Sequence, residues 1–109
     1  MSEKKKIGDF GEKVIANFLM KKGYQILDLN YSKPYGEIDI IALKDDIVCF
    51  VEVKTRRSIK YGYPREAVNY YKQQRIIRAS QTYLIENKLY DYIIRYDVGE
   101  VFTESRKIN

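Results

Sequence analysis

Four ionisable side chains, Glu37, Asp39, Glu52 and Lys54, interrupt the otherwise apolar stretch "GEIDIIALKDDIVCFVEVKTR" that runs from Gly36 to Arg56. A two-residue turn at Asp45 and Asp46, or a four-residue turn over 44–47, sets Asp39 opposite Glu52 and Glu37 opposite Lys54. Directly opposed strand residues carry Cβ atoms about 5 Å apart, and two carboxylates at that separation repel by about 3 kcal/mol at an effective dielectric of about 20. Lys54 offsets part of this repulsion and a divalent cation between the carboxylates reverses its sign, so the pattern predicts a site for a hard, oxygen-preferring ion. The alternative is a wet sheet end, where salt and solvent screen the repulsion and Lys54 is an ordinary cross-strand partner of Glu37. A three- or five-residue turn would take the two carboxylates out of opposition.

A third acid supports the first reading. On a helical wheel Glu12 lies beside Leu19, at the margin of an apolar stripe, so a carboxylate sits where a helix packs. Gly8, one turn before it, and Gly11 each weaken a helix by up to about 1 kcal/mol relative to alanine. Something approaches that backbone closely, either a ligand or the sheet itself. The chain contains no histidine, which excludes imidazole bases, most zinc sites and Ser-His or Cys-His nucleophiles. Carboxylates, lysine, tyrosine and a bound metal are the chemistry left.

The elements that must position these residues follow from periodicity. Ile7, Phe10, Val14, Ile15, Phe18 and Leu19 recur at helical spacing between Lys5 and Lys22, and Gly23 ends that helix. "YQILDLNY", residues 24–31, is a strand; "SKPYG" is a turn; the two strands of the quoted stretch come next. Pro64 is placed to begin a long helix from Arg65 to about Asn87, with Val68, Tyr71, Ile76, Ala79, Tyr83 and Leu84 as its buried stripe. Lys72, Arg75 and Arg78 recur every third residue on another face, which by itself reads as a solvated surface. "YDYIIRYDV" from Tyr90 is a fourth strand and "EVFTE" from Glu100 a short fifth. The order is αβββαβ. Strict alternation puts Glu37, Asp39, Ile41 and Leu43 on one face and Ile38, Ile40 and Ala42 on the other, and apolar residues on both faces require helices on both sides of the sheet.

At 109 residues, with 45% hydrophobic and 32% charged residues, the chain has the composition of one soluble domain spanning residues 1–109. No apolar run is long enough to span a bilayer, and "MSEKKK" leads into an amphipathic segment, which points to the cytoplasm. The single cysteine, Cys49, excludes an intramolecular disulfide and reads as a small core residue. Twenty Lys and Arg against fifteen Asp and Glu give a net charge of +5, compatible with a polyanionic partner. Core packing and β-propensity account for most of the eleven tyrosines better than base stacking does.

An acid on the first helix, an acid on the second strand and acid-x-lysine on the third, in an αβββαβ chain, resemble the PD-(D/E)xK nuclease superfamily with its restriction-endonuclease-like fold, a mixed central sheet flanked by helices on both faces. The segments "GDFGE" at 8–12, "GEIDIIA" at 36–42, "FVEVKTR" at 50–56, "GYPREAV" at 62–68 and "RYDV" at 95–98 together resemble the YraN family of small bacterial proteins over nearly the whole chain. Ile38, rather than proline, precedes Asp39, as in many members of that superfamily.

The resemblance implies phosphodiester hydrolysis with Mg²⁺ or Mn²⁺ held by Asp39, Glu52 and the carbonyl of Val53. Lys54 is then the motif lysine beside the attacked phosphate, and Glu12 matches the helix-one acid of the Holliday-junction-resolvase branch, positioning the first ion or holding a second. Glu37 is a partner for Lys54. Arg56, Arg57 and Lys60 beyond the site, with Lys72 and Arg75 on the second helix, are expected phosphate contacts, which position a nucleic acid without specifying its sequence. DNA, including branched or repair intermediates, is the expected substrate, and a homodimer the assembly that related resolvases imply. The competing expectation is a nucleic-acid-binding module that keeps the fold without cutting; a protein adaptor would leave the charged hairpin unexplained.

Overall fold

The computed structural model describes residues 3–56 and 69–103. Two helices and four strands follow in the order α1 (Glu3–Lys21), β1 (Gln25–Lys33), β2 (Gly36–Lys44), β3 (Ile47–Arg56), α2 (Tyr70–Glu86) and β4 (Ile93–Phe102). The strands form one sheet in the order β1-β2-β3-β4, antiparallel except for the parallel pair β3 and β4. This is the mixed α/β sheet the element order calls for. Pro34 and Tyr35 turn β1 into β2, and Asp45, in the left-handed region at φ 54°, turns β2 into β3 with Asp46. Lys44 therefore faces Ile47, and Ile41 faces Phe50, in the expected register.

Each face of the sheet is covered by one helix. Ala16 and Leu19 of α1 close over Ile40, Ala42, Cys49 and Val51. Ala79 and Tyr83 of α2 close over Ile38, Ile41, Val48 and Phe50. Cys49 is fully buried, and its thiol donates to Asp97 at 2.8 Å. Burial first, and the Asp97 carboxylate second, push that thiol up to about 12, so it is a core residue without thiolate character.

Several expectations are corrected here. Phe10, Val14 and Phe18 are exposed, and α1 instead turns Gly11, Ile15, Ala16 and Leu19 toward the sheet. The helix is rotated because its smallest residue makes the closest approach: a Cβ on Gly11 would collide with the Thr55 side chain and touch Val53. The Ile7 side chain lies outside the described residues. Tyr71 is exposed rather than buried. The described part of α2 begins at Tyr70, where the Asn69 side chain caps it by accepting from the Lys72 N–H at 2.9 Å; Pro64, Arg65 and Val68 lie outside the described residues. The expected fourth and fifth strands are one, because β4 stays paired with β3 through Gly99 as far as Arg56 and Phe102. Gly99 faces Ile15 of α1, which a side chain there would displace.

Both helices end in the same way. The N–H of Gly23, at φ 96°, bonds to the Met20 carbonyl while that of Tyr24 bonds to Leu19, and Lys88 and Leu89 repeat this on Ile85 and Leu84. Such a cap satisfies the last carbonyls and turns the chain back toward the sheet.

Gly36 makes another close approach, since a Cβ there would run into the backbone carbonyl of Arg75 in α2. Backbone cannot swing aside as a hydroxyl can. Gly36→Ala is therefore expected to lower stability by about 2–3 kcal/mol and Gly11→Ala by about 1 kcal/mol, the latter offset by improved helix propensity. Gly8, with open space around it, is expected to gain about 0.5–1 kcal/mol as alanine. Urea unfolding of the three variants checks the order; equal effects would contradict the close approaches.

Candidate functional site

The pairing of β2 with β3 runs from Lys44–Ile47 to Ile40–Val51 and stops there. Beyond it the Asp39 side chain takes over the role of the ladder, its Oδ2 accepting the Val53 N–H at 2.7 Å. Asp39 and Glu52 are thus not a cross-strand pair, nor are Glu37 and Lys54, because β2 leaves β3 at this residue. The alternation breaks with it: Ile38 packs on the α2 side together with Ile41, three residues away, instead of sharing a face with Ile40.

Leaving the ladder opens a cavity of about 190 Å³ lined by Glu37, Asp39, Glu52, Lys72, Arg75 and Ile76. The two carboxylates therefore share one space even though the expected opposition fails. The Asp39 carboxyl is pushed up to about 7, chiefly by burial, with the Val53 N–H working against the shift and the charges of Glu52, Glu12 and Glu37 adding to it. Glu12 is half-buried on α1 and reaches the site through that charge; it is not among the residues lining the cavity.

Glu52 is buried, and its Oε2 lies 2.8 Å from Lys72 Nζ and 3.5 Å from Lys54 Nζ. Two ammonium groups on one oxygen cannot be equally comfortable. Lys54 is lowered, first by burial and then by Lys72, with Glu52 opposing; for Lys72 burial works downward, but its contact with Glu52 and the Glu52 and Asp39 charges hold it above its ordinary value. Glu52, not the expected Glu37, is the carboxylate paired with Lys54.

The expected phosphate contacts divide. Arg75 lines the cavity and sits over the Tyr71 ring at 5.9 Å. Arg56, two residues beyond Lys54, has a buried Nε without a hydrogen-bond partner among the described residues. Lys72 is inside the site rather than on an outer surface. Arg57 and Lys60 lie outside the described residues. Across Glu52 and Ile76 a second, mainly apolar cavity of about 430 Å³ adjoins, with Phe50, Ile77, Tyr96 and Val98 in its wall.

Among the described residues no three acidic, histidine or cysteine side chains form a closed cation cage. The arrangement still fits a hard ion of the magnesium type, which is held by one or two carboxylates and completes its shell with water and substrate phosphate oxygens. Asp39 and Glu52 supply those carboxylates in one cavity, and a cation there offsets both the burial that chiefly raises Asp39 and the smaller contribution of the neighbouring acids.

Comparison with known proteins places the chain. Residues 11–101 match the family described as Uncharacterised protein family UPF0102. The chain belongs to the UPF0102 family. A UPF0102 protein of Clostridioides difficile is 50% identical over 109 residues, covering 100% of this chain and 95% of the relative. Another, of Alkaliphilus metalliredigens, is 50% identical over 103 residues, 94% and 90% of the two chains; one from Caldanaerobacter subterraneus is 45% identical over 105 residues, 96% and 86%. The span matched to UPF0102 contains Glu12, Asp39, Glu52, Lys54, Lys72 and Arg75, and the YraN-like resemblance is thereby established at the level of the family.

One site residue of this UPF0102 chain escaped sequence reasoning in its role. Lys72 was expected as a phosphate contact on the second helix, not as the partner of Glu52, and the signal that places it there, Gly36 opposite Arg75, acquires meaning only once α2 is docked.

The raised Asp39 carboxyl makes stability depend on pH. Between its ordinary 3.8 and about 7 the folded chain holds a proton that the unfolded chain has lost, so stability falls as pH rises through this window and the loss is complete above it. Asp39→Asn removes the charge and keeps an oxygen for the Val53 N–H. We expect this variant to exceed the wild type by roughly 1–2 kcal/mol at about pH 8, discounted for partial solvation, and to match it near pH 4. Urea unfolding at the two pH values checks this; a pH-independent difference would contradict it.

Proposed function

We propose that this protein is a metal-dependent endonuclease of the PD-(D/E)xK type, acting in the cytoplasm on DNA that includes branched or repair intermediates. The observation that carries the reading is Asp39 pinned on the Val53 N–H at the point where β2 leaves β3, in one cavity with Glu52, with Lys54 on the same Glu52 oxygen. Neighbouring carboxylates at a half-buried site raise the energy of the empty pocket and so favour a cation.

Asp39 and Glu52 would hold Mg²⁺ or Mn²⁺, with the Val53 carbonyl on the same strand segment available to it. When bound, the ion supplies polarisation of a phosphoryl oxygen and an acidified water. Lys54, lowered by burial and by Lys72, orients that water or neutralises charge developing on the phosphate. Glu12 raises the negative potential at Asp39 and so strengthens cation binding. Arg56, whose Nε has no partner among the described residues, and Arg75 on the cavity wall receive backbone phosphates. The apolar cavity beyond Glu52 offers Tyr96 and Val98 as a wall for an unpaired base, in keeping with substrates that are not simple duplex.

One observation favours a second reading. Glu52 already has its charge matched by Lys72, as expected of a module that binds nucleic acid through this end of the sheet and does not cut it. No helix among the described residues is long and apolar enough to cross a membrane.

Calorimetry with Mn²⁺ in the presence of a short non-cleavable branched DNA separates the two. Wild type is expected to bind the ion, and Asp39→Ala and Glu52→Ala to lose it while remaining folded. Because Asp39 must shed its proton to act as a ligand, affinity is expected to rise with pH up to about 7 and level off above it. DNA binding alike in all three proteins with no ion bound would leave the non-cutting module as the account.

A further inference from the structure

Lys72 stands at the third residue of α2, with Asn69 capping the helix and accepting from its N–H. Helix N-termini carry partial positive charge and favour acids, and α2 has none in its first turn. A lysine there is locally unfavourable, and the contact that compensates it is Glu52 at 2.8 Å, the shorter of that carboxylate's two ion pairs. The two lysines differ in freedom as well: the Lys72 side chain is 39% exposed and that of Lys54 is 19% exposed. Lys72 can swing outward on its four-carbon stem, whereas Lys54 is hemmed in at the strand.

The charges of the cavity bear on what that swing does. Glu37, Asp39 and Glu52 face Lys72 and Arg75 across it, and Lys54 adds a third cation on Glu52. With Glu12, whose charge acts on Asp39, four ionised carboxyls stand against these three cations before any ion arrives. A divalent cation added to this balance turns it positive and competes with Lys72 and Lys54 for the Glu52 carboxylate. Either a cation leaves the carboxylates or an anion joins them.

We propose that Lys72 is the resident counter-cation of Glu52, that it yields this carboxylate when a divalent ion binds and turns its ammonium to a substrate phosphate, and that ion and nucleic acid therefore bind with positive coupling. This rests on the metal-site reading of Asp39 and Glu52 given above. Lys72 is a positioning residue in this scheme: it holds the empty site together, and its release ties ion occupancy to the presence of a polyanion. A coupling between the two ligands is reciprocal, so nucleic acid tightens the ion by the factor that the ion tightens nucleic acid.

The test is Mn²⁺ calorimetry on wild type, Lys72→Met, Lys72→Arg and Asp39→Ala, each with and without a short non-cleavable DNA and each checked for folding by circular dichroism. Wild type is expected to bind Mn²⁺ at least about fivefold more tightly with DNA than without it. Lys72→Met, lacking the competing ammonium, is expected to bind Mn²⁺ alone at least about fivefold more tightly than wild type and to gain little from DNA. Lys72→Arg keeps the charge and is expected to keep most of the coupling; Lys72→Gln replaces the methionine variant if that one does not fold. If Lys72→Met binds Mn²⁺ alone no more tightly than wild type, or retains the full coupling, Lys72 is only a salt bridge and the proposal is overturned while the metal site stands. Loss of coupling in both the methionine and arginine variants also overturns it. If wild type binds no Mn²⁺ with or without DNA, as Asp39→Ala should not, the metal-site reading itself has failed and the role of Lys72 falls with it.

Discussion

The Asp39 carboxylate on the Val53 N–H is the interaction on which the site depends. A strand that leaves its neighbour exposes backbone donors, and a buried donor without a partner is destabilising by about 1–3 kcal/mol. Asp39 supplies that partner from a side chain. The chain can therefore part β2 from β3 without abandoning the donor, and the parting is what makes room for a cavity between strands that otherwise touch. The same bond fixes the carboxylate against strand β3 at Val53, between the strand positions of Glu52 and Lys54. Burial there, with the neighbouring acids, outweighs the bond and pushes the carboxyl up to about 7.

The two helices complete the site by coming unusually close to the sheet. Gly11 lets α1 settle on Thr55 and Val53, which brings Glu12 near enough for its charge to act on Asp39. Gly36 lets the backbone of α2 meet the start of β2, so that Lys72 and Arg75 reach the cavity from the other side. Apolar contacts further along the sheet hold both helices in place: Ala16 and Leu19 on one face, Ala79 and Tyr83 on the other. Acids and bases thus converge at one end of the sheet while the core occupies the middle.

Much of this was legible in the sequence, for reasons that differ by residue. The register from Ile40 to Val51 followed from a two-residue turn between regular strands, and the grouping of Asp39, Glu52 and Lys54 survived because all three lie within three residues of that regular stretch. The misplacement of Ile38 came from extending strict alternation past the point where the ladder ends. Periodicity could not tell which side of α1 faces inward, because Phe10, Val14 and Phe18 form as good an apolar stripe as the one chosen; glycine at position 11, not hydrophobicity, decided the docking. The continuity of β4 was hidden by Gly99, which reads as a break in a strand but here makes room for Ile15. The contact of Lys72 with Glu52 joins elements separated by a loop, and no local pattern encodes such a distance.

The most direct test is to follow the ionisation of Asp39 itself by carbon NMR of its side-chain carboxyl, with and without Mg²⁺. We expect the free protein to titrate at Asp39 near 7, and the transition to move back toward the ordinary carboxylate range when Mg²⁺ is present, since a cation at the site stabilises the charged form. An Asp39 that titrates near 3.8 in the free protein, or that stays near 7 whatever the Mg²⁺ concentration, would contradict the claim that this carboxylate is held in readiness for a metal ion.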